Sequence, residues 1–293
     1  MTWSPVVVGV DASREGALAA ATAWSIARAA GAEYRLVHVA REMAKVPAVV
    51  AQAPGGAEVA QRLAAGARRR VEEVLRGNAP PEVVDHLEIC AGNPAWILRR
   101  VAEEYEAGLL VLGGKRHTAP VRWFGGSTVH HAVRTIDVPI LVTACPRPQI
   151  ARILVAIDLS HAGKPTLETA LRFASVFSAQ IRAMHVVESF PPIPDVAIQI
   201  DEQEYFRLAG EEFTELVASA TETETVETVT RRGAAARTIA EEAAAWEADV
   251  VVVGSHGKGW VDRVLLGSAT ERLLNRLPTS VLVIPMRAPA VEK

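Results

Sequence analysis

The chain is written twice. "PVVVGVDAS" (Pro5 to Ser13) and "RILVAIDLS" (Arg152 to Ser160) set Asp11 opposite Asp158, and in the same register "RLVHVA" and "RAMHVV" set His38 opposite His185 and Val39 opposite Val186. A second, shorter register pairs Gly92 with Gly233, Gly113 with Gly254 and, in "GGST" against "LGSA", Gly126 with Gly267. The change of register falls between the second apolar run and Gly92, where the segments 41–56 and 189–200 have no matching sequence and read as variable surface loops or, if ordered over a ligand, as lids or carriers of partner specificity. A repeat of this length is one structural unit used twice, and 293 residues suit two domains of about 150 each. The expected division is a first domain over 1–145, a linker over 146–150 around "CPRPQ", and a second domain over 151–293.

Within each copy, short apolar runs alternate with longer Ala-rich, charged stretches. Strands are expected in the first copy near Val6–Asp11, Glu33–Ala40, Val83–Cys90, Gly108–Gly113 and Ile140–Ala144. Several are almost continuously apolar, as in parallel sheets covered on both faces. "REGALAAATAWSIARAAG" reads as a helix stopped at Gly31. Five strands with crossover helices make each domain a doubly wound α/β unit, a five-stranded parallel sheet with helices on both faces. Such sheets bind ligands beyond the carboxyl ends of their strands, where the strand order reverses.

Bulk properties exclude several classes. A net charge of -3 gives no general attraction to nucleic acid. Cys90 and Cys145 have neither metal-ligand spacing nor a disulfide framework around them, which fits a reducing cytoplasm. The N-terminal residues do not read as a signal peptide, and no apolar run approaches the roughly 20 residues of a membrane span, so a cytoplasmic chain without a membrane partner is expected.

The candidate site residues cluster at strand ends. Asp11 and Asp158 close the first strands and are followed by Ser13 and Ser160, so each is either part of a helix cap or a carboxylate offered to a ribose or base amine. Val39 and Val186, near the ends of the second strands, are core residues or backbone groups that read the edge of a base. The loop after the fourth strand carries more information. In the second copy it runs Gly254, Gly257, then Gly267 and Ser268 opening "ATERLLNRL", which brings backbone N–H groups and a hydroxyl to a helix N-terminus, a natural anion site. His130 and His131 after its counterpart read as solvated positions, and His256, Lys258 and Arg263 in this loop read either as solvated positions or, for Lys258 and Arg263, as supplements to the phosphate site and, for His256, as a proton-transfer group. Neither the GxxxxGK[ST] pattern nor a first-strand GxGxxG is present. There are no paired carboxylates, nucleophile triad or metal cluster whose spacing calls for dedicated chemistry.

"VVVGVDAS", "ILVAIDLS", "VHVA", "MHVV" and above all Gly254, Gly257, Gly267 and Ser268 together resemble the universal stress protein family, as a tandem pair covering nearly the whole chain. The resemblance implies the strand order 3-2-1-4-5 and, for the subgroup with this glycine pattern, ATP binding. Carried over, it assigns Asp158 and Val186 to adenosine and Gly254, Gly257, Gly267 and Ser268 to phosphates, with Ala269 offering a further backbone N–H. In the first copy Asp11, Val39, Gly113, Gly126, Ser127 and Thr128 keep the pattern, while Arg116 replaces the middle glycine and either blocks the approach or pairs with phosphate through its guanidinium. ATP would bring Mg2+ with it. The implied function is a nucleotide-binding stress or regulatory protein, a homodimer of tandem chains with an unidentified protein partner. The alternatives are a slow ATPase or nucleotide-dependent transferase using the same pockets, and a scaffold whose first site is inactive.

Overall fold

The computed structural model describes residues 3–44, 56–114, 128–144, 149–188, 201–221, 226–255 and 266–286. The chain divides into two units, Met1–Gln149 and Ile150–Lys293.

In the first unit, β1 (Val6–Val10), β2 (Tyr34–Ala40), β3 (Leu87–Ala91), β4 (Leu109–Gly113) and β5 (Ile140–Thr143) lie in the order β3-β2-β1-β4-β5. Every pairing is parallel; Val8, for example, lies opposite Leu36 on one side and Val111 on the other. Val6, Val7 and Val8 are all fully buried. Successive strand residues face opposite sides of the sheet, so burial of all three requires cover on both faces. That cover comes from α1 (Arg14–Ala30) packed beside α3 (Gly56–Leu75), and from α4 (Pro94–Glu104) beside α5 (Thr128–Thr135). A single helical turn, α2 (Arg41–Ala44), follows β2 directly.

Local chemistry sets the helix ends. The Ser13 hydroxyl accepts the Gly16 N–H at 3.1 Å and starts α1. Gly31, at φ 59°, stops it in the left-handed conformation, and the Ala32 N–H closes back onto the Ala27 carbonyl at 2.8 Å. One strand start differs from expectation. Residues 83–86 belong to a 3-10 helix, Pro81–His86, and the strand begins only at Leu87. Pro81 stands in the first turn, where its fixed φ and missing N–H favour a helical start, and Val83 drops from that turn into the core as a fully buried side chain.

The second unit repeats the plan. Its elements are β6 (Arg152–Ala156), α6 (Gly163–Ser175), β7 (Gln180–Val187), α7 (Glu202–Ala220), β8 (Glu227–Arg232), α8 (Ala235–Ala245), β9 (Val250–Gly254), α9 (Ser268–Arg276) and β10 (Ser280–Ile284). The parallel order β10-β9-β6-β7-β8 is that of the first unit read from its other edge. A structural detail is duplicated too. Arg35 in β2 stacks over Tyr105 at 3.6 Å, and Arg182 in β7 stacks over Trp246 at 4.5 Å. No helix among the described residues is long and apolar enough to cross a membrane.

Candidate functional site

The chain leaves β1 towards β2 and β3, then returns to add β4 and β5 on the other side. The carboxyl ends of β1 and β4 therefore flank the point where the winding reverses, and a crevice opens there. Each unit has one. The cavity in the first unit measures about 550 Å³ and that in the second about 410 Å³. Both lie within the range of small-molecule sites.

A short corner after the first strand shapes each floor. The Ser160 hydroxyl donates to Asp158 Oδ1 at 2.8 Å and accepts the Ala162 N–H at 3.1 Å. In the first unit the Ser13 hydroxyl likewise donates to Asp11 Oδ1 while accepting from Gly16. In the first unit the serine is thus the cap of α1, whereas α6 has Ala162 at its N-cap and Ser160 serves the turn before it; in both units the serine orients the aspartate. Gly163 and Gly16 complete the corner by close approach. A Cβ on Gly163 would lie 2.5 Å from the Asp158 carbonyl oxygen, and one on Gly16 2.7 Å from that of Asp11. The sequence reasoning missed these glycines, although "DASREG" and "DLSHAG" carry the signal as a repeated D-x-S-x-x-G.

The second strands are tied to the same corner. His38 Nδ1 lies 2.9 Å from the Val10 carbonyl oxygen, and His185 Nδ1 2.8 Å from that of Ile157. A carbonyl only accepts, so Nδ1 carries the hydrogen in both rings and donates it. Each histidine pins the main chain immediately before the aspartate, and places the adjacent Val39 or Val186 beside it. These rings had no assigned role in the sequence.

At the other wall, Gly113 ends β4. A Cβ there would meet the main-chain carbon and oxygen of Glu15 at 2.8 Å, so the first turn of α1 seats directly on this glycine. Packing alone demands a glycine at this position. In the second unit the Thr270 hydroxyl donates to the Gly254 carbonyl at 2.8 Å, and the Gly267 N–H donates to the Ser255 carbonyl at 2.9 Å, which holds the start of α9 against the end of β9. The first turn of a helix leaves N–H groups without intrahelical acceptors, here those of Ser268, Ala269 and Thr270.

The first cavity therefore gathers Asp11, Val39, Gly113 and Thr128, and the second gathers Asp158, Val186, Gly254, Gly267, Ser268 and Ala269. Arg116, Gly126, Ser127 and Gly257 lie outside the described residues, as do His256, Lys258 and Arg263. His130 and His131 sit on α5 and are not among the residues lining the first cavity. Among the described residues no group of three or more His, Cys, Asp or Glu is arranged to hold a metal ion.

The units differ at the cap of the helix that follows the third strand. The Asn93 side chain caps α4, accepting the Ala95 and Trp96 N–H groups at 3.1 and 3.4 Å. The corresponding cap of α8 is Ala234, which has no acceptor, and the Glu188 carboxylate at the end of β7 takes the Ala235 N–H at 2.8 Å instead. Asn93→Ala should lower stability by about 1 kcal/mol, whereas Ala234→Asn should gain less than a native cap because Glu188 already serves that helix. Urea unfolding of the two variants beside the parent checks both.

The sequence profile of the Universal stress protein family matches residues 2–144 and again 149–285. The universal stress protein Rv2005c of Mycobacterium tuberculosis is 27% identical over 296 residues, covering 95% of this chain and 96% of its own. A universal stress protein from Archaeoglobus fulgidus superposes with a TM-score of 0.61 at 18% identity, over 96% of this chain and 98% of its own. A putative universal stress protein from Pseudomonas aeruginosa does so with a TM-score of 0.63 at 17% identity, over 96% and 92%. At these identities the two structures speak for the fold.

Proposed function

The chain belongs to the universal stress protein family, and from that footing we propose that it is an adenine-nucleotide-binding regulator in which ATP occupancy changes conformation or partner affinity. One observation supports this above the rest: both units build the same crevice at the reversal of their strand order, with the same Asp-Ser-Gly corner and the same histidine tie. In the second unit Asp158 and the main chain at Val186 would hold adenosine, and Gly254, Gly257, Gly267, Ser268 and Ala269 the phosphates. In the first, Asp11 and Val39 take the adenosine side, and Gly113, Arg116, Gly126, Ser127 and Thr128 the phosphate side.

The residues fit such a ligand. The glycines let the main chain of each corner pack closely beneath its aspartate, and Ser268 is exposed at a helix N-terminus whose partial positive charge favours anions. Mg2+ fits as a companion of the phosphates, held by their oxygens and water, a mode that needs no protein cage. The same reading places the protein in the cytoplasm as a homodimer of tandem chains with a protein partner.

Mass spectrometry of small molecules released on denaturation, followed by incubation of the protein with ATP and Mg2+, tests the proposal. The expected result is stoichiometric retention of adenine nucleotide with negligible turnover. Multiple turnovers would replace the regulator by an ATPase or transferase. No released nucleotide together with no ATP-induced rise in unfolding temperature would leave only the scaffold reading.

A further inference from the structure

The two cavities share a floor but carry opposite charge where the second strand ends. At the end of the second strand, two residues beyond the valine, the first cavity is lined by Arg41 and the second by Glu188. Arg41 is exposed, and a second guanidinium, Arg70, reaches the same wall, paired with Glu42 at 3.1 Å. This wall carries a net positive charge. In the second cavity the carboxylate of Glu188 stands in its place, held by the Ala235 N–H. Among the described residues of the opposite end, Glu15 lines the first cavity with its main chain against Gly113, and Ala162 stands in the corresponding place of the second unit.

Resting on the nucleotide reading above, we propose that the two halves select different nucleotides: the second a nucleoside 5′-triphosphate with a free ribose, the first an adenosine bisphosphate whose ribose carries its own phosphate. A carboxylate at the end of the second strand accepts a ribose hydroxyl and repels a phosphate ester, while an arginine there accommodates one; the same contrast separates the two classes of nicotinamide dinucleotide. With the base at Val39 and the 5′ group toward Gly113, a ribose phosphate faces Arg41 and Arg70. In the second cavity the polyphosphate meets a helix N-terminus and the ribose meets Glu188. Two unlike signals would then converge on one chain.

Isothermal titration of the full chain with ATP, adenosine 2′,5′-bisphosphate and adenosine 3′,5′-bisphosphate tests this, with Arg41→Glu and Glu188→Gln measured alongside. The glutamine keeps an acceptor for the Ala235 N–H, and thermal unfolding confirms that both variants are folded. The expected result is that ATP and one bisphosphate bind together without displacing each other. Arg41→Glu should weaken the bisphosphate by about tenfold or more, the size of a lost charge-assisted hydrogen bond, and leave ATP unchanged. Glu188→Gln should let the bisphosphate compete with ATP. Mutual displacement in the parent protein, or bisphosphate affinity indifferent to Arg41→Glu, overturns the proposal while leaving the nucleotide sites standing. Failure of all three ligands to bind overturns the sites themselves, and the proposal with them.

Discussion

Replacing Gly163 by alanine is expected to cost about 1–3 kcal/mol of stability, the usual penalty for forcing a methyl group into a packed site. The added Cβ would lie 2.5 Å from the Asp158 carbonyl oxygen and 3.0 Å from both Ile157 Cγ2 and Leu216 Cδ1. Leu216 can turn aside, but the carbonyl belongs to the main chain and moves only if the corner after β6 moves. That corner orients the carboxylate through the Ser160 hydroxyl and receives the His185 ring at the preceding carbonyl. ATP affinity at the second site should therefore fall with stability. Denaturant unfolding and ATP titration of the variant check both effects; an unchanged unfolding midpoint would mean that the corner is softer than its contacts imply.

Gly267→Glu should give the complementary result, a folded protein whose second site has lost ATP. Gly267 sits at φ -56° and ψ 137°, a conformation open to any residue, and its place before α9 is held by main-chain bonds to Ser255 and Glu271. Stability should change by no more than about 0.5 kcal/mol, as for an ordinary surface substitution. The new carboxylate would occupy the anion position at the helix N-terminus, satisfied by the same N–H groups that a phosphate needs. Loss of two or so hydrogen bonds to charged oxygens corresponds to an affinity drop of about 100-fold or more. Unchanged ATP stoichiometry and affinity in the folded variant would show that the phosphates do not lie at α9. Together the two substitutions separate the corner that shapes the floor from the helix end that would neutralise charge.

Two histidines illustrate why part of the site was hidden. In sequence, His38 and His185 are polar residues in apolar strands, and nothing in "VHVA" or "MHVV" says what their rings reach. Their acceptors, the carbonyls of Val10 and Ile157, are 28 residues earlier in each case and become neighbours only when β2 pairs with β1 and β7 with β6. Gly113 shows the converse. Its place after an apolar run invited a phosphate reading, yet its contact with Glu15 requires a glycine whatever ligand is bound. The replacement of the Asn93 cap by Glu188 likewise joins residues that no local pattern connects.

The amino-acid sequence by itself determined the duplication, the alternation of strand and helix in each half, and the placing of Asp11, Asp158, Val39 and Val186 at strand ends. These follow from local periodicity and from self-comparison, which depend only on which residues stand near one another along the chain. The tertiary structure decided which of those ends meet, because hydrogen bonds and collisions act across space between elements far apart in sequence. It also decided that the two crevices are unlike: Arg41 and Glu188 occupy equivalent positions in the repeat, but only the folded walls show that each faces a ligand-sized cavity.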